Sequence, residues 1–287
     1  MSRTIRTCDG LDLFEQDWPS DRARGTIVIV HGLGEHVGRY AHVAASLNAN
    51  GWGVVGYDQR GHGRSPGARG RLARDDDLLA DLATVIDAVR RDVDGPLVLL
   101  GHSLGGLVAT RFVAGSIESP TPHWHRPVDA LALSSPALAI PMTALQRLLL
   151  AALGPLAPDL AVANGIAPTS VSRSDATVSA YADDPLVHDR VTARLTRFIV
   201  DAGRAVRALA PRWRVPTLLL YAGSDRCVLP SGSASFAAAA PLGIVAAREF
   251  PALFHEIFNE PEQAEVLSVL VAWLDTLSFS PSTRSPR

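Results

Sequence analysis

Apolar and polar positions along the chain alternate between short β-rich runs and longer helical patterns, the signature of a mostly parallel sheet covered by helices. Strands are expected at 26–31, 54–57, 96–100, 130–134, 217–221 and 245–250. Several are apolar without a break, as in TIVIV, LVLL and TLLLY, which is how strands buried on both faces read. Ahead of them, 4–8 and 11–17 form an expected hairpin turned at Asp9-Gly10. Helices fit between the strands. One spans 40–50 and stops at Gly51; another spans 76–92, with Leu78, Leu82, Val85 and Val89 at helical spacing. A closing amphipathic helix is expected at 261–277, with acids in its first turn.

The rhythm breaks from about 139 to 188, a stretch too long for a plain loop in a compact domain. It holds an apolar helical candidate at 142–153 and then Pro- and Ala-rich sequence. The expected organisation is a first part of an α/β core at 1–138, a helical cap inserted at 139–188, a second part of the core at 189–277, and a Ser/Pro/Arg-rich flexible tail at 278–287. No internal repeat is visible.

Composition narrows the function classes. The 287 residues, 47% hydrophobic and 20% charged, suit a globular protein with a large core. A formal net charge of -2 gives no basic excess for nucleic acid. The chain has no lysine, so its 27 basic residues are all arginine. Two cysteines, Cys8 and Cys227, are too few for a disulfide framework. The opening residues carry no apolar signal core, and no apolar run reaches the ~18 residues of a membrane span. The expectation is a cytoplasmic protein, with weak attachment to a membrane surface left open.

Candidate chemistry centres on Gly101-His102-Ser103-Leu104-Gly105, a G-x-S-x-G match. Alone it is weak, since chance supplies it on the order of 0.1 times per chain. Here it follows the apolar run PLVLL and opens the apolar segment LGGLVATRFV, the strand–sharp turn–helix setting that lifts a serine hydroxyl above a sheet. Such a hydroxyl needs a base within hydrogen-bond reach. His255 is the only histidine in the final third of the chain and lies between the last strand and the last helix. The imidazole in turn needs a carboxylate, and Asp225, in the turn after strand 217–221, is best placed; the preceding strand ends in Ser134-Ser135-Pro136 without an acid. The backbone N–H groups of Leu33, in the loop His31-Gly32-Leu33-Gly34, and of Leu104 are assigned to an oxyanion hole. No spaced His/Cys/Asp set accompanies His31, so no metal and no cofactor are expected, and His31 is read as bonding backbone within its loop.

The motifs HGLGEHVGRY, GYDQRGHGRS, GHSLGG, YADDPLVH, the GSD turn and FHEIFNEP, in this order, resemble the monoacylglycerol lipase and lysophospholipase-like branch of the α/β-hydrolases over about residues 9–275. The resemblance implies an eight-stranded hydrolase core with a mobile cap. It also implies cofactor-free cleavage of monoacylglycerols, lysophospholipids or simple acyl esters by Ser103, Asp225 and His255. Glu35 and Arg39 match polar residues that brace the oxyanion loop, with Gly32 and His102 supporting. Asp58, Arg60 and His62 match a loop read here as structural. Leu104 stands where members often carry Met, and Leu33 where the lipases are often smaller. Serine at 103 argues against a dehalogenase or epoxide hydrolase, which use a carboxylate there. A thioesterase, a cofactor-free haloperoxidase and a C–C hydrolase share the triad, and a non-catalytic ligand receptor shares the fold. Part of the helix at 142–153 is expected to line an acyl tunnel and part to meet lipid; the partner is an acyl ester or lipid, not nucleic acid. Cys227, two residues past the proposed acid, is a candidate for steric blockage by a maleimide.

Overall fold

The computed structural model describes residues 1–20 and 23–279, so only residues 278 and 279 of the expected tail fall inside the described residues. In chain order the elements are β1 (Ser2–Arg6), β2 (Asp12–Trp18), β3 (Thr26–Val30), α1 (Ala41–Ala49), β4 (Gly53–Tyr57), α2 (Asp77–Asp92), β5 (Leu97–His102), α3 (Ser103–Ala114) and β6 (Ala130–Ser134). Next come α4 (Ala144–Leu153), β7 (Ala161–Ala163), α5 (Asp175–Asp183), β8 (Arg190–Thr192), α6 (Ala193–Leu209), β9 (Thr217–Ala222), α7 (Pro230–Ala239), β10 (Val245–Phe250) and α8 (Gln263–Thr276).

Eight strands form one sheet in the order β1-β2-β4-β3-β5-β6-β9-β10. The hairpin β1–β2 and the β2–β4 pair are antiparallel. All other pairs are parallel. The unbroken apolar runs have a simple cause. In β3, Val28 and Val30 join the core layer that contains α2, α3 and α6, whereas Ile27 and Ile29 join the opposite layer with α1 and α8. A strand covered on both faces has no use for polar alternation. The helix α6 buries Leu195, Phe198, Ile199, Ala202 and Val206 at helical spacing and lies outside the elements read from the pattern.

Parallel order fixes where chemistry sits: every loop leaving β3, β4, β5, β9 and β10 emerges at one edge of the sheet. The segment between β6 and α6 packs on that edge. His188 N–H donates to the Gly34 carbonyl at 2.8 Å, and Glu256 N–H to the Val171 carbonyl at 2.8 Å. Glu260 accepts from Ser172 Oγ at 2.6 Å. The short strands β7 and β8 pair with each other, Ala161 opposite Thr192. Through this pairing the stretch that follows β6 is joined to the start of α6 at Thr192.

Candidate active site

Strand β5 runs straight into α3 with no connecting residue, and the turn is paid for at one position. Ser103 adopts φ +52°, a left-handed conformation that costs a residue with a Cβ on the order of 1–3 kcal/mol. The flanking glycines make the turn possible. A Cβ on Gly105 would lie 2.0 Å from the Val30 carbonyl oxygen, and one on Gly101 2.6 Å from the Gly105 oxygen. The elbow places Ser103 at the N-terminus of a twelve-residue helix, where unpaired N–H groups and the positive end of the dipole face outward.

Two distant loops converge on that hydroxyl. His255, from the loop after β10, has its Nε2 2.8 Å from Ser103 Oγ. Its Nδ1 lies 2.7 Å from Oδ2 of Asp225, from the loop after β9. The other oxygen of Asp225 accepts the N–H groups of Cys227 and Val228 at 2.7 and 2.9 Å. Burial works against the charge on Asp225, but the His255 ring and these N–H donors outweigh it and hold the carboxyl below the usual carboxylate range. Burial likewise disfavours a charged His255, yet the Asp225 carboxylate, helped by Glu256 and Glu35, raises its pKa above the ordinary value.

Behind the hydroxyl lies a buried polar frame. Glu35 accepts the Gly32 N–H at 2.6 Å, Tyr40 Oη at 2.6 Å and Arg39 Nη1 at 2.8 Å. Burial opposes its ionisation, but Arg39 and these bonds keep it charged, down to about 2. Gly32 has no room for a side chain, since a Cβ would lie 2.8 Å from Glu35 Oε1 and 3.1 Å from Ser103 Cβ. Arg39 grips Glu256 with two bonds of 2.6 and 2.7 Å, and its guanidinium lies 4.9 Å over the Tyr181 ring. Glu256 therefore ties the loop of His31–Gly34 to the loop of His255. The sequence reading passes over Glu256 because its partner is 217 residues away; its one local signal is adjacency to His255. The His102 ring lies 4.8 Å from that of His255 and its Nδ1 is 3.0 Å from Ser134 Oγ. Burial and the neighbouring His255 push it down to about 4, so it stays neutral.

Leu33 lines the Ser103 cavity together with Gly32, Ile166, Val171 and Tyr181. Leu104 is the second residue of α3 and 1% exposed. The cavity measures only about 20 Å³, room for about one water. His31 bonds backbone: Nδ1 pairs with the Gly32 carbonyl at 2.8 Å and Nε2 accepts the Gln59 N–H at 2.9 Å. Asp58 accepts the N–H groups of Val37 and Arg64, and Arg60 is buried against Asp9, Asp77 and Asp81. His62 bonds the Arg60 carbonyl at 3.0 Å. Among the described residues one donor set could gather a metal: Asp225, Cys227 and His255 have ligand atoms within 4.8 Å of one another. A metal there would have to break the Asp225–His255 bond. The Cys227 thiol is pushed up by burial and by Asp225 and Glu256, which makes it a poor nucleophile. No helix among the described residues is long and apolar enough to cross a membrane.

The chain as a whole is similar to known proteins. The family model Hydrolase_4, described as serine aminopeptidase, S33, matches residues 21–262. A monoacylglycerol lipase of Mycolicibacterium smegmatis is 33% identical over 260 residues, covering 89% of this chain and 90% of that protein. An uncharacterised abhydrolase domain-containing protein of Dictyostelium discoideum is 29% identical over 98% of this chain, which spans only 30% of that protein's length. The crystal structure of the Paleococcus ferrophilus monoacylglycerol lipase superposes with a TM-score of 0.80 at 33% identity, covering 91% of this chain and 98% of that one. The chain is thus a member of the Hydrolase_4 family, a serine hydrolase of the α/β-hydrolase superfamily and a carboxylic ester hydrolase.

Proposed function

We propose that this carboxylic ester hydrolase cleaves monoacylglycerols, lysophospholipids or related acyl esters through an acyl-enzyme on Ser103. The observation that carries the mechanism is the unbroken chain from Ser103 Oγ to His255 Nε2, at 2.8 Å, and from His255 Nδ1 to Asp225, at 2.7 Å. Ser103 Oγ attacks the acyl carbon while His255 Nε2 takes its proton. The carbonyl oxygen becomes an oxyanion against the N–H groups of Leu33 and Leu104. The C–O bond to the alcohol then breaks, and His255 returns the proton to the departing oxygen. Water attacks the acyl-enzyme, His255 again takes the proton, and the carboxylic acid leaves as Ser103 regains its hydrogen. Asp225 holds the Nδ1–H tautomer and stabilises the imidazolium. Gly32, Glu35, Arg39 and His102 act as supports that hold the oxyanion loop and the His255 ring.

The likeness to monoacylglycerol lipases supports the substrate class. A cavity of about 20 Å³ admits no ester, so the segment carrying Ile166, Val171 and Tyr181 acts as a cap that opens for entry. Two measurements test this reading. A fluorophosphonate probe should label Ser103, and Ser103→Ala should lose roughly 10⁴–10⁶ in kcat; ester hydrolysis surviving within tenfold would refute the assignment. On a panel of p-nitrophenyl esters, monoacylglycerols and lysophospholipids of graded chain length, turnover of the first alone would keep the mechanism and remove the lipid substrate.

A further inference from the structure

Between α4, α6 and the start of α7 lies an open cleft of about 780 Å³, within the range of small-molecule sites, roughly 300–1,000 Å³. It shares no lining residue with the Ser103 cavity. Its apolar floor is built on the buried Leu138 and Ile199, with Ile140 and Leu150 also lining the cleft and the exposed Leu229 at its edge. Its walls are not: Arg147, Arg197, Arg204 and Arg207 face it against a single acid, Asp201. Arg207 Nη1 donates to the Leu138 carbonyl at 2.7 Å, which sets that guanidinium at the floor. A Cβ on Gly154 would lie 2.8 Å from Arg197 Nη2, so this guanidinium packs on the end of α4. No ion pair is recorded for Arg147, Arg197, Arg204 or Arg207 among the described residues.

The contrast with the rest of the molecule is the argument. Where arginine is buried for structure it is clamped by acids, as Arg39 is by Glu35 and Glu256 and Arg60 by Asp9, Asp77 and Asp81. Four cations around one acid repel each other, and an anion between them relieves that repulsion. Arginine forks also suit planar or tetrahedral oxyanions. The apolar floor in turn gains by covering alkyl surface.

We propose that this cleft is a second binding site, for a single-chain amphiphile with an anionic head group, its carboxylate or phosphate on the arginines and its chain on the floor. The carboxylic acid released by ester hydrolysis and a phosphate-headed lysolipid share that chemistry. Binding here does not depend on the Ser103 mechanism.

The test is calorimetric titration of the full chain with dodecanoate, dodecyl phosphate, dodecanol and acetate. Both anionic amphiphiles should bind at least about tenfold tighter than dodecanol, more weakly as salt rises, and acetate should not bind measurably. Binding of only one anionic amphiphile would still support the site and identify which head group it takes. The double variant Arg197→Ala/Arg204→Ala should weaken dodecanoate binding about tenfold. Ala151→Trp, which fills the cleft from the exposed side of α4, should abolish it. Both should keep p-nitrophenyl acetate hydrolysis. Should the double variant fail to fold, Arg147→Glu on the exposed surface of α4 serves in its place. Dodecanol binding as tightly as dodecanoate, or arginine variants binding within twofold of the parent, would overturn the proposal. So would loss of dodecanoate binding once Ser103 is blocked by a sulfonyl fluoride, which would move the ligand to the other cavity. Failure of Ser103 to take that label counts against the acyl-enzyme mechanism and leaves the cleft standing.

Discussion

At the residue scale the site is a balance of opposing influences on one imidazole. Burial pushes the His255 pKa down and the Asp225 carboxylate pushes it up, with the carboxylate ahead. The base works only when neutral, so ester hydrolysis should rise with pH through a midpoint above the ordinary ~6.5 of histidine. Asp225→Asn removes the largest upward pull and leaves only Glu256 and Glu35 to oppose burial. Its kcat should fall about 10⁴-fold and its midpoint should move to lower pH. A pH–rate profile of each protein measures both, and an unmoved midpoint would show that Asp225 is not the group that sets the ring's charge. That Ser103, Asp225 and His255 would meet was legible from the sequence, because the elbow motif and two strand ends point to them. Glu256 was not: a carboxylate beside a histidine says nothing until Arg39 is seen gripping it.

At the element scale the sheet strands and the helices α1, α2 and α8 followed the pattern read from the sequence, since strands covered on both faces and amphipathic helices leave different spacings, whereas α6 and α7 were not read. The loop after β4 shows what holds elements to one another. Arg60 is 5% exposed and joins this loop to α2 through Asp77 and Asp81, and to the β1–β2 turn through Asp9. Removing one partner of a buried ion cluster strands the others and costs about 3–5 kcal/mol. Arg60→Ala should therefore lower the unfolding free energy by that amount in urea, while hydrolysis per folded molecule stays near the parent. A loss of activity without a loss of stability would move Arg60 from scaffold to site.

At the scale of the whole molecule, α4 divides its apolar surface. Leu150 and Ala151 line the arginine-walled cleft, while Leu145, Leu148 and Leu149 point outward at 63%, 64% and 45% exposure. Exposed leucines on one helix face gain by entering a lipid interface. Leu148→Asp/Leu149→Asp should reduce partition onto zwitterionic vesicles about tenfold and leave hydrolysis of soluble p-nitrophenyl acetate unchanged; vesicle binding that stays the same would rule out a lipid role for this face. The alternation of strand and helix, the elbow at Ser103 and the strand-end positions of Asp225 and His255 were already written in the sequence, because each depends on neighbours a few positions away. The closure over Ser103, the Arg39–Glu256 tie and the gathering of four arginines around an apolar floor were decided only by tertiary structure. Their partners come from segments far apart in the chain, and no local spacing encodes which of them will meet.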